Sequence, residues 1–353
     1  MDEKRKTSNR RNYRIALDAM GGDFAPINEV LGVIKAFESK LGGFNAEIVL
    51  VGDEDKIRKK LNQYDTSILN YSIVHAPDVV TMHDEPSMVL KNKRNSSMFI
   101  GVELLAKRYV DAFVSAGNTG AVLATSTILL GRIPGVSRPT IGTFFPTKNK
   151  YPSLVLDVGA NVDVKPRYLY EFAVMGSIAT TQMYGIENPS VGLLNIGEEE
   201  SKGTDVLRQT HKMLKESQLN FIGNIEGKDI LSGISDVIVC DGFTGNVLLK
   251  FAEGFYSLIK SKIKSMGNGN VLNKAMVLLA APALKKMFKD FNYENYGGVP
   301  LLGVNGAVII GHGKSSPEAV KNMIYKAYEL VDKNVNEKIV NALNPTLVTS
   351  NVE

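Results

Sequence analysis

The chain has 353 residues, 44% of them hydrophobic and 22% charged, enough for one large α/β domain or two smaller lobes around a sizeable core. Its single cysteine, Cys240, excludes an intramolecular disulfide framework and any CxxC metal or redox site, and fits a reducing cytoplasm. The net charge of +4 is concentrated in residues 1–14, where Lys4, Arg5, Lys6, Arg10, Arg11 and Arg14 stand against Asp2 and Glu3, so the remainder is neutral and offers no basic patch for nucleic acid.

Residues 1–14 lack an apolar h-region and read as a disordered basic leader, either an appended tag or a native tail. A single α/β domain is expected over 15–345. Ile15–Asp18 reads as the first strand, and Pro26 falls early in a helix from Asn28 to Lys40, where proline is tolerated. Glu47–Val51 is a second strand, followed by Gly52-Asp-Glu-Asp and a helix over 56–62. Tyr71–His75 is a third strand. Residues 76–97 carry Pro77, Pro86 and Ser96-Ser97 and predict a long loop with a broken helix. Met98–Tyr109 is helical and leads into Ala112–Val114.

Leu123–Leu130 is the next helix, and Arg132-Ile-Pro-Gly135 turns the chain toward a strand at Thr140–Phe145. Strands at Leu154–Val158, Val191–Ile196, Asn220–Ile222 and Val237–Cys240 alternate with helices at 167–184 and 204–215. Such alternation implies a doubly wound, largely parallel sheet.

Residues 246–290 break that rhythm. Leu248, Phe251, Phe255, Ile259 and Ile263 recur at helical spacing, Gly267-Asn-Gly269 ends the helix, and 271–289 is a second helical stretch. The result is a protruding helical hairpin with eight lysines against Glu253 and Asp290. Its second arm is apolar all round from Met276 to Ala281 and so buries more than one face. Two compatible readings follow: a dimerisation hairpin, and a contact with a membrane surface or an acidic partner. No apolar run reaches the length of a membrane span.

Five apolar runs end in short loops of Gly, Asp and Asn: at 15–23, 112–120, 154–163, 191–197 and 237–246. In an α/β protein such loops lie beyond the carboxyl ends of strands, where glycine turns N–H groups toward a ligand and a helix N-terminus adds positive charge. Several together imply an anion-binding cleft. Common owners of such clefts are missing. No G-x-G-x-x-G occurs at a strand–helix junction, and Gly313-Lys-Ser315 lacks a P-loop's leading glycine, with Val308 in its place. His75, His83, His211 and His312 form no zinc pattern, and Ser115-Ala-Gly117 lacks the leading glycine of a hydrolase elbow. Cys240 reads as a core thiol.

Asp18-Ala-Met-Gly-Gly-Asp23, Ser115-Ala-Gly-Asn-Thr-Gly-Ala121, Asp157-Val-Gly-Ala-Asn-Val-Asp163, Asp241-Gly-Phe-Thr-Gly-Asn246, Tyr296-Gly-Gly298 and His312-Gly313 closely resemble the PlsX family of phosphate acyltransferases. The resemblance runs from Ile15 to the last helix and leaves out the basic leader. It implies a fold similar to phosphotransacetylases and isocitrate/isopropylmalate dehydrogenases, and a homodimer that is cytoplasmic and peripherally membrane-associated. It implies transfer of an acyl group from acyl carrier protein to inorganic phosphate, for phospholipid synthesis. The acyl phosphate then passes to a PlsY-type membrane acyltransferase. No cofactor, metal or covalent intermediate is needed.

Within that resemblance, phosphate binding is expected at Asp18, Gly21, Gly22, Asp23, Gly117, Asn118, Thr119 and Gly120, with Lys93 and Lys202 as cations. Asn161, Lys165, Asp241 and Asn246 are expected around the reacting carbonyl, and His312 as the acid for the leaving thiol. Donors fixed in advance would desolvate and aim a heavily hydrated nucleophile and face the charge that develops on the carbonyl oxygen. The alternatives are a phosphotransacetylase-like enzyme that uses acyl-CoA, and a non-catalytic scaffold that binds carrier protein or membrane.

Overall fold

The computed structural model describes residues 12–39, 44–267, 279–280, 282–283 and 298–344. The leader up to Arg11, the hairpin's turn and most of its second arm, and Tyr296 and Gly297, lie outside these residues. Among the described residues an 11-stranded sheet runs through the molecule. In chain order its strands are β1 (Tyr13–Asp18), β2 (Ala46–Gly52), β3 (Tyr71–His75), β4 (Ala112–Ser115), β5 (Thr140–Phe145), β6 (Ser153–Leu156), β7 (Ser190–Leu194), β8 (Asn220–Ile225), β9 (Val237–Val239), β10 (Val299–Leu302) and β11 (Ala307–Ile310). Their spatial order is β3-β2-β1-β4-β11-β10-β5-β6-β9-β7-β8.

The helices are α1 (Ile27–Glu38), α2 (Glu54–Leu61), α3 (Pro86–Asn92), α4 (Ser97–Ala106), α5 (Thr119–Leu129), α6 (Pro166–Tyr184), α7 (Asp205–Lys215), α8 (Gly242–Gly267), α9 (Pro317–Asp332) and α10 (Val335–Leu343). Their starts follow local chemistry. The side chains of Asp53, Ser96, Asn118, Thr204 and Ser316 each accept an N–H of a first turn, and proline opens α3, α6 and α9. β1 buries successive residues because both faces of the sheet are covered. Ile15, Leu17, Leu154 and Val237 pack with α1, α6, α9 and α10, whereas Ala16, Phe113, Ile141 and Ile238 pack with α3, α4, α5 and α8. This is the doubly wound architecture that the sequence implies.

The sheet has two parallel blocks, not one continuous parallel run. β3, β2, β1, β4 and β11 run together, and β6, β9, β7 and β8 run together. Between them β10 is antiparallel to β11 and β5, and β5 is antiparallel to β6. Three reversals leave the blocks pointing in opposite directions. The loops after β1, β4 and β11 therefore leave one edge of the sheet, and those after β6 and β9 leave the other.

Two helices, α5 and α8, begin a full turn or more earlier than hydrophobic periodicity predicts. α5 starts at Thr119 instead of Leu123, because the Asn118 side chain accepts the N–H of Ala121 at 3.1 Å. α8 starts at Gly242 instead of Val247, because Asp241 accepts the Thr244 N–H at 2.8 Å and its hydroxyl at 2.7 Å. Residues that read as loop are first helical turns, and their N–H groups point outward. β10, β11, α9 and α10 were not resolved as separate elements in the sequence. The first two are strands of four residues, too short to carry a periodicity.

Candidate active site

β1 and β4 are parallel neighbours, so their carboxyl ends deliver two glycine loops side by side. Asp18 closes β1, is buried, and accepts from Ser115 Oγ at 2.7 Å and from the Met20 N–H at 3.2 Å. Burial raises its carboxyl above the ordinary range, and the donors from Ser97, Ser115 and Met20 work against that rise. The Gly117 N–H donates in turn to Ser115 Oγ at 3.0 Å. Asp18 thus braces the loops from below. A Cβ on Gly21 would overlap Asp18 Oδ2 and stand 3.0 Å from Gly117 N, so the two backbones meet at a distance only glycine permits.

The 311–315 loop joins them, since β11 pairs with β4. The Asp23 N–H donates to the Gly313 carbonyl at 2.7 Å. Asn118 carries the 76–97 segment on its other end: Nδ2 faces the carbonyls of Thr81, Met82 and Asp84 at 3.3, 3.3 and 3.0 Å. Lys93 stands behind that turn and donates to Asp84 Oδ2 at 2.6 Å and to the Val79 carbonyl at 2.8 Å. Hydrogen bonding from Lys93 pulls the Asp84 carboxyl down to about 2.

A second cluster forms around Asp157, beyond β6. Its Oδ1 accepts from Gly159 N–H at 3.1 Å and Ala160 N–H at 3.0 Å, and its Oδ2 from the backbone and side-chain nitrogens of Asn161, each at 2.7 Å. Burial raises this carboxyl, and the surrounding donors oppose the rise. Asn161 Nδ2 also donates to the Pro139 carbonyl at 2.7 Å, and Gly242 N–H donates to the Asn161 carbonyl at 2.7 Å. The start of α8 is thereby fastened to the Asp157 loop.

The clusters meet across a cavity of about 340 Å³ between α5 and α8. One wall holds Thr119, Gly120 and Leu123; the other holds Gly159, Asn246, Leu249 and Lys250. The floor is Ile141 and Thr143 of β5, with Val299 and Ile310, and Gly311, His312 and Ser315 close one end. His312 is exposed, and its Nδ1 accepts the Lys314 N–H at 3.2 Å, which leaves the proton of a neutral ring on Nε2.

The residues predicted for chemistry separate into groups. Thr119, Gly120, Asn246 and His312 line the cavity. Gly21, Gly22, Asp23, Gly117 and Asn118 form the adjoining loop contacts, with Asp18 beneath and Lys93 behind. Asn161 and Asp241 spend their side chains on backbone and hydroxyl partners of the second cluster. Lys165 is exposed and precedes α6. Lys202 lies past β7, within 3.9 Å of Glu199, outside the cavity.

Glu29 escaped the sequence reading. It sits in the first turn of α1, where a glutamate is unremarkable. Here it is 1% exposed, Oε1 lies against Gly22, and Oε2 has no hydrogen-bond partner among the described residues. Burial, with the Asp18 charge adding to it, pushes this carboxyl up to about 8. The trace in sequence is Gly22 itself, whose Cβ would overlap Glu29 Oε1.

Over residues 13–338 the chain matches the family described as fatty acid synthesis protein. It is 46% identical over 338 residues to a phosphate acyltransferase from Chlorobaculum parvum, covering 94% of this chain and 98% of that protein. It is 46% identical over 336 residues to one from Dictyoglomus turgidum, with the same coverage. In fold it is similar to a phosphotransacetylase from Streptococcus pyogenes, TM-score 0.59 at 16% identity over 92% of this chain and 94% of that one. The EutD phosphotransacetylase from Staphylococcus aureus gives 0.57 at 19% identity over 91% and 94%.

Proposed function

The chain belongs to the phosphate acyltransferase family, and from that premise we propose that it moves an acyl group from the thioester of acyl carrier protein to inorganic phosphate, supplying acyl phosphate for phospholipid synthesis. The observation that carries this reading is the cavity's two-part character. Its lining combines the first turn of α5 and a histidine with the aliphatic side chains of Ile141, Val299, Ile310 and Leu249.

Phosphate lies at the start of α5. Ala121 N–H is taken by the Asn118 side chain and Val122 N–H by the Asn118 carbonyl. The N–H groups of Thr119 and Gly120 are the orphan donors of that turn, and both residues line the cavity. Gly21, Gly22, Asp23 and Gly117 shape the pocket behind it, and Lys93 acts through Asn118 and the Thr81–Asp84 turn. Such fixed donors replace water around the nucleophile.

The acyl chain runs over Ile141, Val299 and Ile310 toward Leu249. A phosphate oxygen attacks the thioester carbonyl, the C–S bond breaks, and the thiolate leaves. The proton that phosphate brings as its monohydrogen form ends on the thiol, and His312 donates a hydrogen bond from Nε2–H to the departing sulfur. A thiol of pKa roughly 8.5 needs little further help. Asn246 is nearest the carbonyl, while Asn161 and Asp241 hold the start of α8 in place. Lys165 and Lys202 are not among the residues lining the cavity, so Lys165 is assigned no contact with the carbonyl and Lys202 none with phosphate.

α8 presents two apolar faces. Leu248, Leu249 and Ala252 pack inward. Phe243, Val247, Phe251, Phe255 and Leu258 are exposed, Phe243 by 62% and Phe251 by 70%, with Lys250, Lys260 and Lys264 beside them. This supports a homodimer contact, and peripheral attachment of a cytoplasmic enzyme at the membrane where a PlsY-type partner takes the product. No helix among the described residues is long and apolar enough to cross a membrane.

Trapping acyl phosphate as hydroxamate tests the proposal. Hydroxamate should form with acyl carrier protein substrate and only when phosphate is present. Faster turnover of acyl-CoA in the same assay would replace the donor, and hydroxamate without phosphate would overturn the reaction.

A further inference from the structure

Beneath the two-glycine turn lie two buried carboxyls, one per glycine. Asp18 Oδ2 lies under Gly21 and Glu29 Oε1 under Gly22. Asp18 is satisfied by Ser115 Oγ and Met20 N–H. Glu29 is only half satisfied: its own backbone N–H bonds the carboxyl, but Oε2 is buried without a partner among the described residues. A buried ionised carboxylate with one oxygen unpartnered is costly, so the neutral acid is the form that fits this site.

We propose that Glu29 is a positioning residue whose bound proton keeps the 20–23 turn able to receive phosphate. The inference rests on the reading that phosphate binds beside this turn. Two ionised carboxylates under one turn would repel an incoming anion, and Asp18 has the fuller set of donors, from Ser97, Ser115 and Met20, against the single backbone N–H at Glu29. Glu29 touches the turn at Gly22, and the next residue, Asp23, donates to the Gly313 carbonyl at 2.7 Å. The charge on Glu29 is therefore felt by the phosphate loop and, through one hydrogen bond, by the loop that carries His312.

From β1 the facing charge is Asp18. The 311–315 loop turns the backbone of Gly313 toward Gly22, with His312 and Lys314 exposed. α9, packed along α1, brings Glu318 and Lys321, which pair with each other, and Lys35 of α1 lies 3.8 Å from Glu318. Desolvation and the Asp18 charge hold the Glu29 proton up to about pH 8. By linkage, phosphate and that proton strengthen each other's binding.

The test is the pH profile of phosphate KM and kcat, from pH 7 to 9, in wild type and Glu29→Gln. Phosphate's own ionisation is common to both and cancels in the comparison. In wild type, KM for phosphate should rise above pH 8 toward tenfold per pH unit, with kcat moving less. Glu29→Gln, a neutral residue of the same shape, should abolish that rise. An equal rise in both proteins, or a pH-independent change in the variant, overturns the proposal. Asn118→Ala, measured alongside at pH 7, separates the failures. If it leaves phosphate KM unchanged, phosphate does not bind here and the underlying reading falls. If it raises phosphate KM while the two profiles coincide, the role of Glu29 alone falls.

Discussion

Gly245 lies against the carbonyl oxygen of Asp157 so closely that a Cβ on Gly245 would occupy the space of that oxygen. A neighbouring contact repeats the theme: a Cβ on Gly242 would stand 2.6 Å from the Asn161 carbonyl oxygen. The glycines of Asp241-Gly-Phe-Thr-Gly-Asn246 are therefore packing glycines. They let the first turn of α8 press onto the Asp157 loop and set Asn246 in the cavity wall. Gly245→Ala must push that turn away. Overpacking at a buried backbone contact costs about 3 kcal/mol, and thermal unfolding should show a drop of several degrees with loss of turnover. An unchanged Tm would mean that α8 is not fixed at this point.

Asn118 serves two masters, as the cap of α5 and as the donor to the Thr81–Asp84 turn. Asn118→Asp separates them. Aspartate keeps the cap and places a negative charge against three carbonyls and beside the proposed phosphate. The expected result is nearly native stability with a phosphate KM raised by tenfold or more. Asn118→Ala loses the cap as well and should cost about 1 kcal/mol in denaturant unfolding. Equal KM values for Asn118→Asp and wild type would remove the start of α5 from phosphate binding.

The fold was legible where a strand was long or a cap was explicit. Tyr71–His75 and Thr140–Phe145 stand where alternation and composition place them. The reversed direction of the second block was not legible, because it depends on β10 and β5, and pairing direction leaves no mark in a four-residue apolar run. At the site, glycine loops could be found but not their reasons. Gly21 and Gly22 read as donors to an anion, and the structure shows each also yielding space to a carboxyl. Glu29 was invisible because burial comes from α1 lying on β1 and α9, a tertiary fact with no local signature.

Glu29 also fixes a pH dependence of stability. Its carboxyl ionises at about 8 in the fold, against a value of 4.5 without the fold. Below 4.5 both states hold the proton and the site adds no penalty. Between 4.5 and 8 only the folded protein holds it, so stability falls as pH rises. Above 8 the loss is complete and constant. Each pH unit of that interval is worth ~1.36 kcal/mol, which sets an upper bound of roughly 5 kcal/mol. Glu29→Gln should therefore gain stability over wild type steadily from pH 5 to 8, by several kcal/mol in urea unfolding. Parallel curves for the two proteins across that range would show that Glu29 is charged in the fold.

The exposed face of α8 yields the last prediction. Phe251 and Phe255 stack with ring centroids 6.1 Å apart and extend the line begun by Phe243 and Val247. Contiguous aromatic surface of this kind is normally covered. A second copy of the chain would cover it with matching aromatics, and flanking lysines would remain at the rim for an anionic surface. Phe251→Glu combined with Phe255→Glu leaves Leu248 and Leu249 in the core and changes only the outer face. If the proposed homodimer forms through this face, sedimentation should then shift from dimer toward monomer. If the dimer persists while flotation with anionic vesicles is lost, the stripe belongs to the membrane contact. If both persist, neither partner uses α8 at these residues, and the aromatic line has another occupant.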